Sequence, residues 1–410
     1  MSSFGIRMGL NETYEAQEET TMTVQSKVSA FVPYDYDIFA GLDVDKKSIL
    51  ATFVDREKVV KSMRLPYSSE QLLNCVRKHF PQQRVAFVYE AGPTGFGLHD
   101  DLVAENLRCL VVAPSMVPTA PGSRVKTNRL DSKKLSEGLR GGQLQSIHVP
   151  AASYRELRHL VQLRDTHARQ LAATKCRIKA LLTYEGIQFP ANDGKWSARV
   201  LSELKKLPCS GSVQFKLNDL IGTLQFHSLS ATAAHKEIRR FCQKDPELSN
   251  SIRLLTSIPG IGGIIATHLI ARIGDWREID NVRSIAGFLG LVSSEHSTGD
   301  KENRGRITRT GDSRLRNKLI QGAWVAIARD QELRAFYRQV YSRHPQKVAA
   351  RKAIVAVARK LTTRIYAVLK QQRPYVLRQD SSSTAPLTSE ETARPRERLD
   401  GAQSDEPNRL

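Results

Sequence analysis

The chain has 410 residues, enough for two or three domains with cores of their own. Its 62 Lys and Arg against 42 Asp and Glu give a formal net charge of +20, which favours a polyanionic partner because each cation near a phosphate releases a counterion. No apolar run approaches the roughly 18 residues that a membrane span requires, the N-terminus lacks the basic-then-apolar order of a secretory signal, and Cys75, Cys109, Cys176, Cys209 and Cys242 form no CxxC pair. A reduced, cytoplasmic protein with no membrane partner is therefore expected.

Residues 1–36 are polar, with Glu15, Glu18 and Glu19 clustered and no apolar period, and are expected to be a disordered lead. Folded character begins at Ile38, where an apolar run to Val44 carries an acid, Asp43. Residues 49–54 and 59–65 follow as strands joined by tight polar turns, which predicts a meander. Leu72, Leu73, Val76 and Phe80 have helical spacing within residues 70–80. Residues 85–90 are an almost wholly apolar strand ending in Glu90, residues 97–106 read as a helix, and residues 109–114 are another buried strand. Continuous apolar strands separated by helices imply a sheet covered on both faces, an α/β domain over residues 37–150.

Residues 151–250 differ. Leu157, Leu160, Val161, Leu163, Leu171 and Ile178 recur at helical intervals among Arg and Lys, which predicts a long helix or coiled coil broken near Pro190 and Trp196. Residues 251–375 are expected to form a mostly α-helical, basic domain, with residues 300–373 carrying 19 Lys and Arg against 5 Asp and Glu. The Ser-, Thr-, Glu- and Pro-rich stretch 376–410 is expected to be a disordered tail.

Two constellations carry chemistry. Asp43, Glu90 and Asp131 sit at or after strand ends, and strand ends on one edge of such a sheet converge. Oxygen ligands gathered there suit Mg²⁺ or Mn²⁺, and a metal pair stabilises both attacking and leaving oxygens of a phosphoryl displacement. A lone acid at a strand end is ordinarily a turn residue or cap, so the order of elements matters more than any one acid. That order, three strands, helix, strand, helix, strand, resembles the ribonuclease H-like (RNase H-like, RuvC-like) nuclease fold. The second constellation begins at Pro259-Gly260-Ile261-Gly262, similar to a helix-hairpin-helix turn, in which glycines let backbone N–H groups approach a DNA phosphate. Ser297 and Thr298 before Gly299 follow, and then Arg304, Arg306, Arg309, Arg314 and Arg316. These arginines read equally well as phosphate ligands or as a solvated basic face.

The motifs GLDV, EAGPTG, KT-x-R-x-D, PGIG and GLV-x-SE-x-S-x-G, in that order, resemble the DEDD-type insertion-sequence transposases, a group that includes the Piv-like DNA invertases. The resemblance covers residues 38–375. It implies an N-terminal domain that binds Mg²⁺ through four acids and a C-terminal domain whose serine joins DNA covalently. It also implies double-stranded DNA as partner, a homo-oligomer (dimer or tetramer), a nucleoid-associated location and, in some members, a structured guide RNA. Carried over, Asp43, Glu90 and Asp131 match the first, second and fourth acids, and the third position holds Asn128, whose amide still offers oxygen to a metal but no charge. The place directly before the motif glycine holds Thr298, with Ser297 one earlier; Ser297 is less hindered at Cβ and is favoured, and Thr298 stays open. A metal-dependent junction nuclease using activated water, or a decayed nucleic-acid-binding relative, are the competing expectations.

Overall fold

β-branched and aromatic residues dominate the apolar runs between residues 38 and 112, and they fold as strands. The computed structural model describes residues 31–117, 127–190, 196–279, 281–295, 304–309 and 311–377. The chain divides into two units, Met1–Val149 and Pro150–Leu410. In the first, β1 (Ile38–Val44), β2 (Ser48–Val54) and β3 (Val59–Pro66) form an antiparallel meander. The helix α1 (Ser69–His79), capped by Ser68 Oγ accepting from the Gln71 N–H, leads to β4 (Val85–Glu90). The helix α2 (Gly97–Ala104) leads to β5 (Arg108–Val112), and α3 (Asn128–Arg140) follows. The sheet order is β3-β2-β1-β4-β5, with β1, β4 and β5 parallel.

Alternation of side chains splits the sheet into two apolar faces. Leu42, Phe53, Phe87 and Tyr89 pack with Leu72 of α1 and Leu102 of α2, while Phe39, Val88 and Leu110 pack with Leu135 and Leu139 of α3. The expected two-sided cover is therefore present. The edge strand β3 is the exception, because Val59 and Val60 are exposed. Gly41, in mid-strand, is where α3 lies closest. A Cβ there would overlap the Ser132 carbonyl oxygen and the Ser136 amide nitrogen, so only glycine admits the helix. Thr52 Oγ1 and Ser132 Oγ, 2.8 Å apart and buried, tie the same helix to β2.

The second unit contains α4 (Ala152–Tyr184), α5 (Ala198–Lys205), α6 (Gly211–Lys244), α7 (Pro246–Thr256), α8 (Gly263–Ile273) and α9 (Val282–Phe288). A short hairpin of β6 (Ser293–Glu295) and β7 (Arg304–Ile307) precedes α10 (Ser313–Arg329), α11 (Gln331–Ser342) and α12 (Gln346–Gln371). The helices α4 and α6 pair lengthwise in opposite directions. Near one end Leu157 and Val161 share a core with Ile238 and Cys242; near the other, Ile178 and Leu182 share one with Leu217 and Ile221. The first of these cores runs on through α7, α8, α10 and α12, with Leu255, Leu269, Leu319, Ala323 and Leu361 fully buried. Truncating one such leucine to alanine costs about 2–5 kcal/mol. Among the described residues no helix is long and apolar enough to cross a membrane.

Candidate active-site residues in the two units

In the first unit the strand register decides where the acids lie. The pairing of β1 with β4 runs from Ile38↔Val85 to Leu42↔Tyr89, so the next step sets Asp43 beside Glu90, about 4.8 Å apart between neighbouring strands. Leu42 and Tyr89 point to the α1–α2 face, so alternation sends Asp43 and Glu90 to the α3 face, where Gly41 also lies. Both acids are half-buried.

The direction of α3 brings a third acid to the same edge. Arg140 Nη1, at its C-terminal end, donates to the Asp55 and Arg56 carbonyl oxygens at 3.4 Å each. Those carbonyls follow Val54, and the neighbouring pair Phe39↔Val54 places them at the start of β1. Thus α3 runs antiparallel to β1, and its first turn lies at the carboxyl ends of β1 and β4. Thr127 caps that turn, its Oγ1 accepting from the Leu130 N–H at 3.3 Å. Asn128 and Asp131, three residues apart, lie on one side of the turn together with the buried Ser132. Asn128 is exposed and Asp131 half-buried.

All four side chains offer hard oxygen donors, the chemistry of Mg²⁺ or Mn²⁺. Among the described residues no group of three or more His, Cys, Asp and Glu side chains is placed to hold a metal ion. The elements bring these positions toward one edge and face.

In the second unit, Ser297 and Thr298 fall in residues 296–303, outside the described residues, between β6 and β7 in the sequence. The frame around them is described. Ser294 Oγ donates to the Arg306 carbonyl at 3.1 Å, and a Cβ on Gly305 would meet that Oγ, so β6 and β7 close tightly. The Thr308 N–H donates to the Val292 carbonyl at 2.8 Å and the Arg309 N–H to the Gly290 carbonyl at 3.4 Å. Arg309 takes a positive φ of 56°, uncommon for a non-glycine residue. Gly311, at φ 81°, presses on the Phe288 carbonyl, where any Cβ would overlap.

The basic residues divide. Arg306, Arg309 and Arg314 are exposed, and the side chain of Arg304 is outside the described set. Arg316 departs from its expected nucleic-acid role: it is buried, and its Nη1 donates to the Leu289 carbonyl at 2.9 Å, bracing the approach to β6. Gly260 departs similarly. Its φ of 87° and its packing on the Gly322 carbonyl serve the contact with α10 rather than an open approach to phosphate. Gly262 does face open space, and the N-terminus of α8 that it begins has no side-chain cap.

Sequence reasoning passed over Asp165. Leu157, Val161 and Asp165 follow one another at intervals of four on α4, so the acid occupies a core position of the helical period. That spacing was the available signal.

A model of the transposase IS116/IS110/IS902 family matches residues 252–338, and a model of the DEDD-type IS110 transposases matches residues 40–185. The chain belongs to the DEDD-type insertion-sequence transposases. The matched segments include Asp43, Glu90, Asn128 and Asp131 in one unit and Ser297 and Thr298 in the other. Among transposases of the curated set, the chain is similar to a putative transposase of Sinorhizobium fredii, 32% identical over 59% of each chain. It is also similar to the transposase for insertion sequence element IS1533 of Leptospira borgpetersenii, 21% identical over 70% of this chain and 84% of that one. The pilin gene-inverting protein of Moraxella bovis is 27% identical over 54% of this chain and 58% of its own length. The alignments with the Sinorhizobium and Moraxella relatives thus span less than two thirds of those proteins.

Proposed function

We propose that this transposase-family protein cuts and rejoins DNA through a covalent link between a DNA phosphate and a hydroxyl of its second unit. What supports the reading is the strand register, which sets Asp43 beside Glu90, together with the direction of α3, whose first turn carries Asp131 toward the same edge. The strand order β3-β2-β1-β4-β5 supports a ribonuclease H-like (RuvC-like) fold for the first unit. Asp43, Glu90 and Asp131, with Asn128 as a neutral oxygen donor, would hold Mg²⁺ or Mn²⁺, which supplies charge stabilisation at a reacting phosphate. The residues of the chain do the rest. The Ser297 hydroxyl attacks phosphorus as its proton leaves; the bond to the 3′ oxygen breaks, and that oxygen takes a proton. A 3′-hydroxyl of another strand then attacks the phosphoserine, restoring a phosphodiester and the free serine. Bond energy is retained in the link, so no ATP is needed. Thr298 is the other candidate nucleophile.

Arg306, Arg309 and Arg314, together with the open N-terminus of α8 at Gly262, fit contacts with DNA phosphates. A structured guide RNA, a dimeric or tetrameric assembly and a cytoplasmic, nucleoid-associated location belong to the same proposal. The test is a strand-joining assay with full-length protein, Mg²⁺ and DNA carrying the ends of its element. Joined product is expected with the wild type. Cleavage without joining would instead favour a nuclease that activates water, and neither product would favour a decayed binding protein.

A further inference from the structure

In the second unit, α4, α8 and α10 enclose a small cavity whose deep side is formed by Asp165 and His268 and whose open side carries Arg158, Arg272, Asp312 and Arg314. Asp165 and His268 are 4% and 5% exposed. Burial alone would raise the Asp165 carboxyl, but His268 and Lys318 hold it well below the usual carboxylate range. Lys318 Nζ lies 3.2 Å from it and Arg164 Nη1 3.1 Å, so its charge is answered from inside the unit. Burial pulls the His268 pKa down, against the opposing pull of Asp165. Its Nε2 sits 3.2 Å from Asp165 Oδ1 but off the hydrogen-bond direction, and it makes no hydrogen bond. A buried, unsatisfied ring nitrogen beside a cavity is a group awaiting a partner.

The open side is cationic and partly preorganised. Arg158 donates through Nε to the Ala271 carbonyl and through Nη2 to the Arg272 carbonyl at 3.1 Å, capping α8. Arg272 Nε pairs with Asp312 Oδ2 at 2.6 Å. Each guanidinium has five N–H donors, so both retain donors beyond these bonds. Arg314 is exposed, and among the described residues its side chain makes no hydrogen bond or ion pair. The first amides of α10 are already taken by Asp312, which accepts from the N–H groups of Arg314 and Leu315 at 2.8 and 3.1 Å, so the helix terminus is not what attracts a ligand. Three arginines therefore face one carboxylate, with two of the three fixed in place.

We propose that this opening binds a phosphate group, held by Arg158, Arg272 and Arg314, with a water in the cavity linking it to His268. The cavity has room for roughly one water, so the anion sits at the mouth. The reading of the chain as a DNA-joining protein bears only on the source of the phosphate: the DNA backbone is expected, and free phosphate is the alternative. Two measurements on full-length protein decide. Inorganic phosphate should raise the wild-type Tm above that in chloride of equal ionic strength, and Arg314→Gln should lose most of that rise. With a duplex of arbitrary sequence, Arg314→Gln should reduce the slope of log K against log salt by about 0.9, one phosphate contact, whereas Lys216→Gln on α6 should leave the phosphate-dependent Tm rise unchanged. A lost phosphate effect with an unchanged duplex slope would keep the site and assign it to free phosphate. No phosphate effect in the wild type, or an equal effect in Arg314→Gln, would overturn the site whatever the duplex slope does. Because the phosphate arm involves no DNA joining, a chain that fails to join strands leaves this result standing, and the reverse also holds.

Discussion

The two units carry their chemistry in different ways. In the first, Asp43, Glu90 and Asp131 stand on regular elements, so their placement toward one edge follows from the register of β1 against β4 and from the direction of α3. In the second, Ser297 and Thr298 lie outside the described residues, and the described part is a frame: Ser294 on Arg306, Gly311 on Phe288, Arg316 on Leu289. The contrast has a physical basis. Oxygen ligands for a hard cation are most accurately held by a sheet edge and a helix, because their spacing is set by hydrogen-bonded backbone. A nucleophile must instead reach a substrate atom, and its support is the rigidity of what flanks it.

The two units should respond differently to substitution. The largest effect is expected in the first. Asp43→Ala, Glu90→Ala and Asp131→Ala should each lower strand joining by more than the 10–100-fold typical of groups that only support a metal ligand, with thermal unfolding unchanged. A variant that joins strands at near-normal rate leaves the site. In the second unit Arg316→Met should reduce joining and stability together, by about 1–3 kcal/mol in urea, since it strands the buried Leu289 carbonyl. Loss of joining at full stability would mean that Arg316 touches the reaction after all.

The glycines test packing in both units. Gly41→Ala and Gly311→Ala each drive a Cβ into backbone, against Ser132 and Phe288, and each should cost about 1–3 kcal/mol by denaturant titration. A neutral result at either position would show that α3 or the hairpin frame shifts easily.

A smaller effect separates the units by pH. Because burial lowers the pKa of His268, the unfolded chain binds more protons than the folded one just below its ordinary value of about 6.5. The second unit should therefore lose stability as pH falls through that value, and His268→Gln should flatten the dependence in urea titrations. An unchanged slope in the variant would remove His268 as its source. The smallest effect is expected from Asn128→Asp, which should preserve or modestly raise joining by adding charge to the donor set. A large loss at unchanged stability would show that a neutral group is needed there to limit repulsion among carboxylates.

Much of the first unit was legible in the sequence. The apolar run 85–90 became β4, and the spacing of Leu72, Val76 and Phe80 marked α1. The alignment of Asp43 with Glu90 was not legible, because strand register depends on partners 47 residues apart in the chain. Nor was the inward turn of Arg316. In a stretch so rich in Lys and Arg, composition alone makes every cation look solvated, although Arg316 flanks the buried Leu315 and Leu319 on α10. Asp165 escaped for a different reason: an acid does not register in a search for apolar periodicity, although its spacing from Leu157 and Val161 placed it in the core.

The proposed chemistry requires a covalent bond between this protein and DNA. The direct measurement is mass spectrometry of full-length protein trapped on a nicked DNA substrate carrying its element's ends, with Mg²⁺ present. A phosphoester at Ser297 is the predicted result, absent from Ser297→Ala and only partly reduced in Thr298→Ala. An ester at Thr298 would move the nucleophile by one residue and keep the chemistry. Strand cleavage with no adduct on either hydroxyl would contradict the account, and would leave water activated at the Asp43–Glu90 edge as the attacking group.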